Sequence, residues 1–216
     1  MRPARQESLE VHVDLGDFDQ LRPRQLLHNY DRAVQMAPQF PLRWYYRGIF
    51  HRDAGRRELA IADLKEASKR LEKLENTPLK ARCCNDLARL YATAPEKLRK
   101  IEDAVALAER AVKLQGGRWD YYNTLGIAYY RAGRFKDAVV QLEKSLHGGT
   151  GHSDAFNLYF MAMAFHRLGQ SAKANECYSQ AVKWHDAQKD LQPPEARELN
   201  VFRTEAVTLL GDAGKP

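Results

Sequence analysis

The sequence predicts an all-α protein: a solenoid of antiparallel helix pairs closed by a C-terminal capping helix. Three observations lead there. A set of small, aromatic and turn residues recurs along the chain at fixed offsets. Apolar residues follow the spacing of a helix in nearly every segment, and strand-like alternation is confined to Leu9, Val11, Val13 and Leu15. Short glycine turns (DAGR, RAGR, RLGQ) divide consecutive helical segments, and helices joined so tightly pack antiparallel.

The elements follow in order. Residues 1–22 are left unassigned, and residues 23–187 form the repeat domain. It opens with a half repeat, 23–38, where LLHNYDRAVQMAP has the form of the second helix of a pair. Its Ala33 precedes Ala67 by 34 residues, and Pro38 stops the helix. The first full repeat, 41–70, is anchored on Gly48, with Trp44, Gly55, Ala60, Leu64 and Ala67 in register, although Arg47 and His51 stand where apolar residues recur elsewhere. The second, 78–114, is anchored on Ala88 with Cys84, Leu87 and Tyr91 in place. Its second helix, IEDAVALAERAVKL, arrives four residues late, so ATAPEKLRK carries an insertion in the turn. The third, 119–147, is anchored on Gly126 with Tyr122, Leu125, Tyr129, Gly133, Ala138, Leu142 and Ser145. The fourth, 154–187, is anchored on Ala162 with Leu158, Met161, Phe165, Gly169, Ala174, Tyr178 and Ala181. Residues 188–216 supply the capping helix and a short tail: Pro193 and Pro194 start it, Gly211 ends it, and Leu199, Phe202, Ala206 and Leu209 make its apolar stripe. The anchor is always small, which predicts that the paired helices approach most closely there.

The pattern Tyr122-x-x-Leu125-Gly126-x-x-Tyr129 with Ala138-x-x-x-Leu142 resembles the tetratricopeptide repeat (TPR), a 34-residue unit reading Trp-x-x-Leu-Gly-x-x-Tyr, then Ala-x-x-x-Phe, then Pro. The resemblance spans roughly residues 23–187. It implies a right-handed α-solenoid whose first helices line a concave groove, and a protein–protein interaction scaffold. The stretched second repeat and the gap HGGTGHSD are similar to bacterial TPR modules often attached to Ser/Thr kinase or other signalling domains. This chain holds no kinase Gly-rich loop, HRD or DFG, so the likeness implies a signalling context and no kinase activity.

Composition narrows the classes. The 216 residues are 44% hydrophobic and 29% charged, which suits a packed domain. No apolar run approaches the roughly 18–20 residues of a membrane span. The opening MRPARQESLEVHVDLGD has no apolar block behind its arginines, so no secretory signal is expected and the reading is cytoplasmic. Cys83, Cys84 and Cys177 cannot all pair, and they read as core thiols in a reducing compartment. The net charge of +6 comes from 34 basic and 28 acidic residues, interleaved on solvated helix faces.

No catalytic constellation emerges. His147 and His152 flank GGTG near Asp154, but a phosphate loop needs GxxxxGK[ST] after a strand, and a helix precedes this gap. His51 and His166 read as helix-surface histidines, and Glu72, Glu75, Glu102 and Asp103 as solvated helix charges. The expectation is no enzyme, no cofactor and no metal site.

The groove carries the functional reading. Helical periodicity projects Tyr45 and Arg52 of the first repeat inward, with Arg82, Asn85 and Arg89 of the second. Asn123, Tyr130 and Arg131 of the third and Tyr159, His166 and Arg167 of the fourth complete the candidate partner-binding set. The lining has five arginines against Asp53 and Asp120, hence +3. Asparagine can fix a peptide backbone and arginine a carboxylate, so the expected ligand is an extended, acidic peptide segment. The competing reading of these arginines is solubility. The carboxylate grip of some chaperone-binding TPR proteins is not reproduced, since Tyr45 and Ile49 occupy two of its positions. The alternative is an RNA-binding helical repeat, because helix-pair solenoids read bases at fixed offsets. Asn85 and Asn123 share one such offset, but Tyr45 and Tyr159 break the code, and no strong basic stripe supports nucleic acid.

Overall fold

The computed structural model describes residues 23–74, 78–149, 154–188 and 190–211. The alternation at Leu9–Leu15, Glu75, and residues 150–153 of the glycine-rich gap, His152 among them, lie outside these residues. Ten α-helices follow in order among the described residues: α1 (Pro23–Met36), α2 (Pro41–Asp53), α3 (Arg57–Leu71), α4 (Pro78–Thr93), α5 (Ile101–Leu114), α6 (Trp119–Arg131), α7 (Phe135–Gly148), α8 (Asp154–Arg167), α9 (Ser171–Ala187) and α10 (Pro193–Leu210). A short 3-10 turn, Glu96–Leu98, occupies the insertion between α4 and α5. No strand occurs among the described residues.

The turns explain the pairing. Gly55, Gly133 and Gly169 have φ of 75°, 75° and 73°, the left-handed conformation that closes a helix and reverses the chain at little steric cost. Each pair then packs along its whole length, and successive pairs stack. Even-numbered helices touch the next even-numbered helix, α4 against α6 and α6 against α8, more closely than the odd-numbered ones approach each other. The even side is therefore the inner curve.

The anchor positions show why small residues recur. A Cβ built on Gly126 would lie 2.6 Å from Leu142 Cγ on α7, and one built on Gly48 would lie 3.0 Å from Leu64 Cγ on α3. Contact at that range brings α6 onto α7 and offsets the helix cost of glycine, roughly 1 kcal/mol. Ala60, Leu64, Ala104, Ala108, Ala138, Leu142, Ala174 and Ala181 fill the interior of the pairs.

The first repeat departs from expectation. His51 is buried, 6% exposed, rather than on the surface. Arg47 binds both oxygens of the buried Asp63 at 2.7 Å and reaches Asp31 at 3.0 Å, while His51 Nε2 lies 3.9 Å from Asp63. A polar cluster thus replaces the apolar contacts of Leu125 and Tyr129, and burial holds the His51 imidazole below its ordinary pKa.

Candidate functional site: the inner groove

Inner-face side chains reach across each gap between even-numbered helices. Tyr45 on α2 donates its hydroxyl to Asp86 on α4 at 2.8 Å, and Arg52 reaches the same carboxylate at 3.2 Å. Arg89 on α4 donates to Asn123 Oδ1 on α6 at 2.6 Å. Asn123 in turn donates its amide to Asn157 Oδ1 on α8 at 2.9 Å. Burial raises the pKa of both Asp86 and Tyr45. Periodicity alone omitted Asp86 and Asn157, because it projected one face of each helix and the inner curve is broad enough to gather two.

The C-terminal helix changes what the groove offers. Its stripe of Leu199, Phe202, Ala206 and Leu210 is buried, Leu210 taking the place expected of Leu209. It covers the last pair mainly through α8 and only lightly through α9, so it lies on the inner side of the stack. Phe202 meets Phe160 edge-on at 4.8 Å and 72°, and Phe156 at 6.1 Å and 82°. Glu198 accepts from Arg89 at 2.9 Å, and Glu205 accepts two bonds from Arg131, whose Nε also donates to the Ala92 carbonyl at 3.2 Å. The Arg131 guanidinium lies over the Phe160 ring at 5.2 Å.

The expected site residues therefore divide. Tyr45, Arg52, Asn85, Arg89 and Asn123 share the end of the groove bounded by α2, α4 and α6. Tyr130 is buried against Phe160 and Phe135, with Arg167 beside its hydroxyl. Tyr159 is fully buried and its hydroxyl meets His185 Nδ1 at 3.1 Å, so it presents no surface to a ligand. Burial raises the Tyr159 pKa and lowers that of His185. Arg131 is committed to Glu205, His166 is half-buried and Arg82 is exposed.

Between the open end of the groove and α10 lies a cavity of about 930 Å³. Its walls include Arg52, Asn85, Asp86, Arg89, Trp119, Asp120, Asn123 and Phe156, with Pro194, Glu195, Arg197, Glu198 and Phe202 from α10. Asn85 is 7% exposed, and its Oδ1 is buried without a hydrogen-bond partner. The +3 counted over the four repeats does not describe this cavity, which lacks Arg82, Arg131 and Arg167. Arg52, Arg57, Arg89 and Arg197 face Asp53, Asp86, Asp120, Glu195 and Glu198 in this cavity. No group of three metal-ligating side chains forms among the described residues, and no described helix is long and apolar enough to cross a membrane.

Stacked helix pairs with closely packed inner helices define an α-solenoid of the repeat-scaffold class. Residues 88–149 and 157–186 each match a family model described as tetratricopeptide repeat. The chain carries tetratricopeptide repeats over those residues. No curated protein matches it. Similar solved structures include MamA, at TM-score 0.59 and 19% identity over 76% of this chain and 89% of that one. YrrB, a TPR protein with an unusual peptide-binding site, gives 0.58 and 17% over 84% of each chain. PilW, a type IV pilus biogenesis factor, gives 0.64 and 16% over 88% of this chain and 80% of that one. At these identities the likeness concerns the fold.

Proposed function

We propose that this chain is a non-catalytic interaction scaffold that receives an extended, acidic segment of a partner protein along α2, α4 and α6. The observation that carries the reading is Asn85 Oδ1, a buried acceptor without a partner in the wall of the cavity. A buried carbonyl oxygen left unbonded costs about 1–3 kcal/mol, and a peptide N–H laid along the groove would satisfy it. The acidic preference rests on Arg82, one turn before Asn85 on the same stripe of α4, which is exposed and carries no ion pair among the described residues. The groove's own arginines already hold carboxylates, Arg89 that of Glu198 and Arg131 that of Glu205. YrrB, of similar fold, carries a peptide-binding site, which makes peptide capture a use this fold admits. The likeness to kinase-linked modules makes signalling proteins the first partners to screen.

The test is enrichment from a pool of acidic and neutral peptides on the immobilised chain. Acidic sequences should enrich, Arg82→Glu should remove that preference, and Asn85→Ala should weaken all binding about tenfold, as expected for one lost buried hydrogen bond. Equal capture by the parent chain and both variants would refute the site.

A further inference from the structure

Helix α10 meets the groove in the manner of a ligand. It has one aromatic anchor, Phe202, seated between Phe156 and Phe160. A carboxylate four residues earlier, Glu198, and another three residues later, Glu205, each engage a groove arginine, Arg89 and Arg131. Positions four before and three after a residue lie on its own helical face, so one face of α10 makes all three contacts. The outer face remains in solvent, with Val201 60% and Val207 44% exposed. Of its 18 residues α10 buries Leu199, Phe202, Ala206 and Leu210, in the range of α7 and α9, whereas α8, the helix it covers, buries 11 of its 14. Terminal helices with few buried contacts open at lower free energy than the interior of a repeat array.

We infer that the inner surface over α4, α6 and α8 is a receptor for an acidic amphipathic helix, with α10 as its resident occupant. The recognised chemistry is a carboxylate, an aromatic ring four residues on, and a second carboxylate three residues beyond. A helix of that pattern from another protein binds by replacing α10. The inference rests on the groove being the partner surface, and it specifies a helical ligand where α10 lies, over α8 and the neighbouring parts of α4 and α6. Tethering gives α10 a high local concentration, so the resident helix sets the threshold a partner helix has to exceed.

The experiment uses the full chain and a fluorescein-labelled peptide of residues 193–210, followed by polarisation. The parent chain should bind this peptide weakly. A Glu198→Ala/Glu205→Ala chain loses three charge-assisted hydrogen bonds, in the resident helix only, and should bind the natural peptide at least tenfold tighter. An Arg89→Glu/Arg131→Glu chain should reject the natural peptide and accept its Glu198→Arg/Glu205→Arg counterpart. Circular dichroism checks that each variant keeps its helices, and hydrogen exchange should show α10 amides opening faster than those of α8. A folded Glu198→Ala/Glu205→Ala chain that binds no better than the parent, or α10 amides as protected as those of α8, would overturn the inference. Capture of acidic pool peptides without capture of the 193–210 peptide would leave the groove reading standing and remove this one. Loss of pool capture alone would do the reverse.

Discussion

Replacing Gly126 with alanine sets two opposed effects against each other. Alanine is the better helix former by roughly 1 kcal/mol, so propensity alone predicts a more stable protein. The added Cβ would stand 2.6 Å from Leu142 Cγ, 2.7 Å from Leu142 Cδ2 and 3.3 Å from the Ala138 carbonyl oxygen. Carbon atoms prefer about 3.5–4.0 Å, so Leu142 has to retreat by about 1 Å. Leu142 is fully buried, and its Cγ sits close to the α7 backbone, so the helix moves with it. Overpacking of this kind costs about 1–3 kcal/mol, which leaves a net loss of about 1 kcal/mol after the propensity gain. For a chain of this size that loss lowers the melting temperature by about 2–4 °C. Gly48→Ala is the control, since its Cβ would meet Leu64 Cγ at 3.0 Å and needs a smaller retreat. Thermal melts followed by circular dichroism compare the two, with Gly48→Ala expected near the parent and Gly126→Ala below it. A Gly126→Ala chain as stable as the parent would refute the close-contact account of the anchor.

Other consequences are open to measurement. Arg47→Ala strands the carboxylate of Asp63, which is 4% exposed, and should cost about 3 kcal/mol in urea denaturation; a loss under 1 kcal/mol would show that the pair contributes little. Burial depresses the His51 pKa, so its contribution is fully present above the ordinary imidazole value of about 6.5 and is lost as pH falls toward the depressed one. The stability difference between parent and His51→Gln should therefore shrink from pH 7 to pH 5, and a constant difference would remove His51 as the cause. Burial also raises the thiol pKa of Cys83 and Cys84 and pushes that of Cys177 up to about 11. A disulfide reagent at pH 8 should label all three only as fast as the chain opens, and rapid labelling of the native protein would contradict their burial.

The repeat lattice was legible because each repeat restates the same constraint. Gly126 and Gly48 both sit against a leucine of the paired helix, Ala88 and Ala162 are fully buried at the same offset, and Gly55, Gly133 and Gly169 share one turn. The site was less legible, because periodicity gives the direction of a side chain and not what meets it. Arg89 and Arg131 do project inward, but their carboxylate partners lie 109 and 74 residues away. Nothing local in PPEARELNVFRTEAVTLLG distinguishes a helix laid on the end of a stack from one laid along its inner curve. His51 departs from its expected surface place for a related reason. Its buried place depends on the ion pair of Arg47 and Asp63, a contact between two helices that a single-helix pattern cannot register.

The cross-helix bonds of the inner face form an unbroken series: Tyr45 to Asp86, Arg89 to Asn123, Asn123 to Asn157. They brace each gap on the inner edge, while the outer helices stand farther apart. The molecule is a coil spring with its stiff edge inside. Straightening it would stretch a strut at every gap, so its radius is set before anything docks. A visitor meets a mould already cast and loses less entropy in filling it than it would in shaping a pliable one.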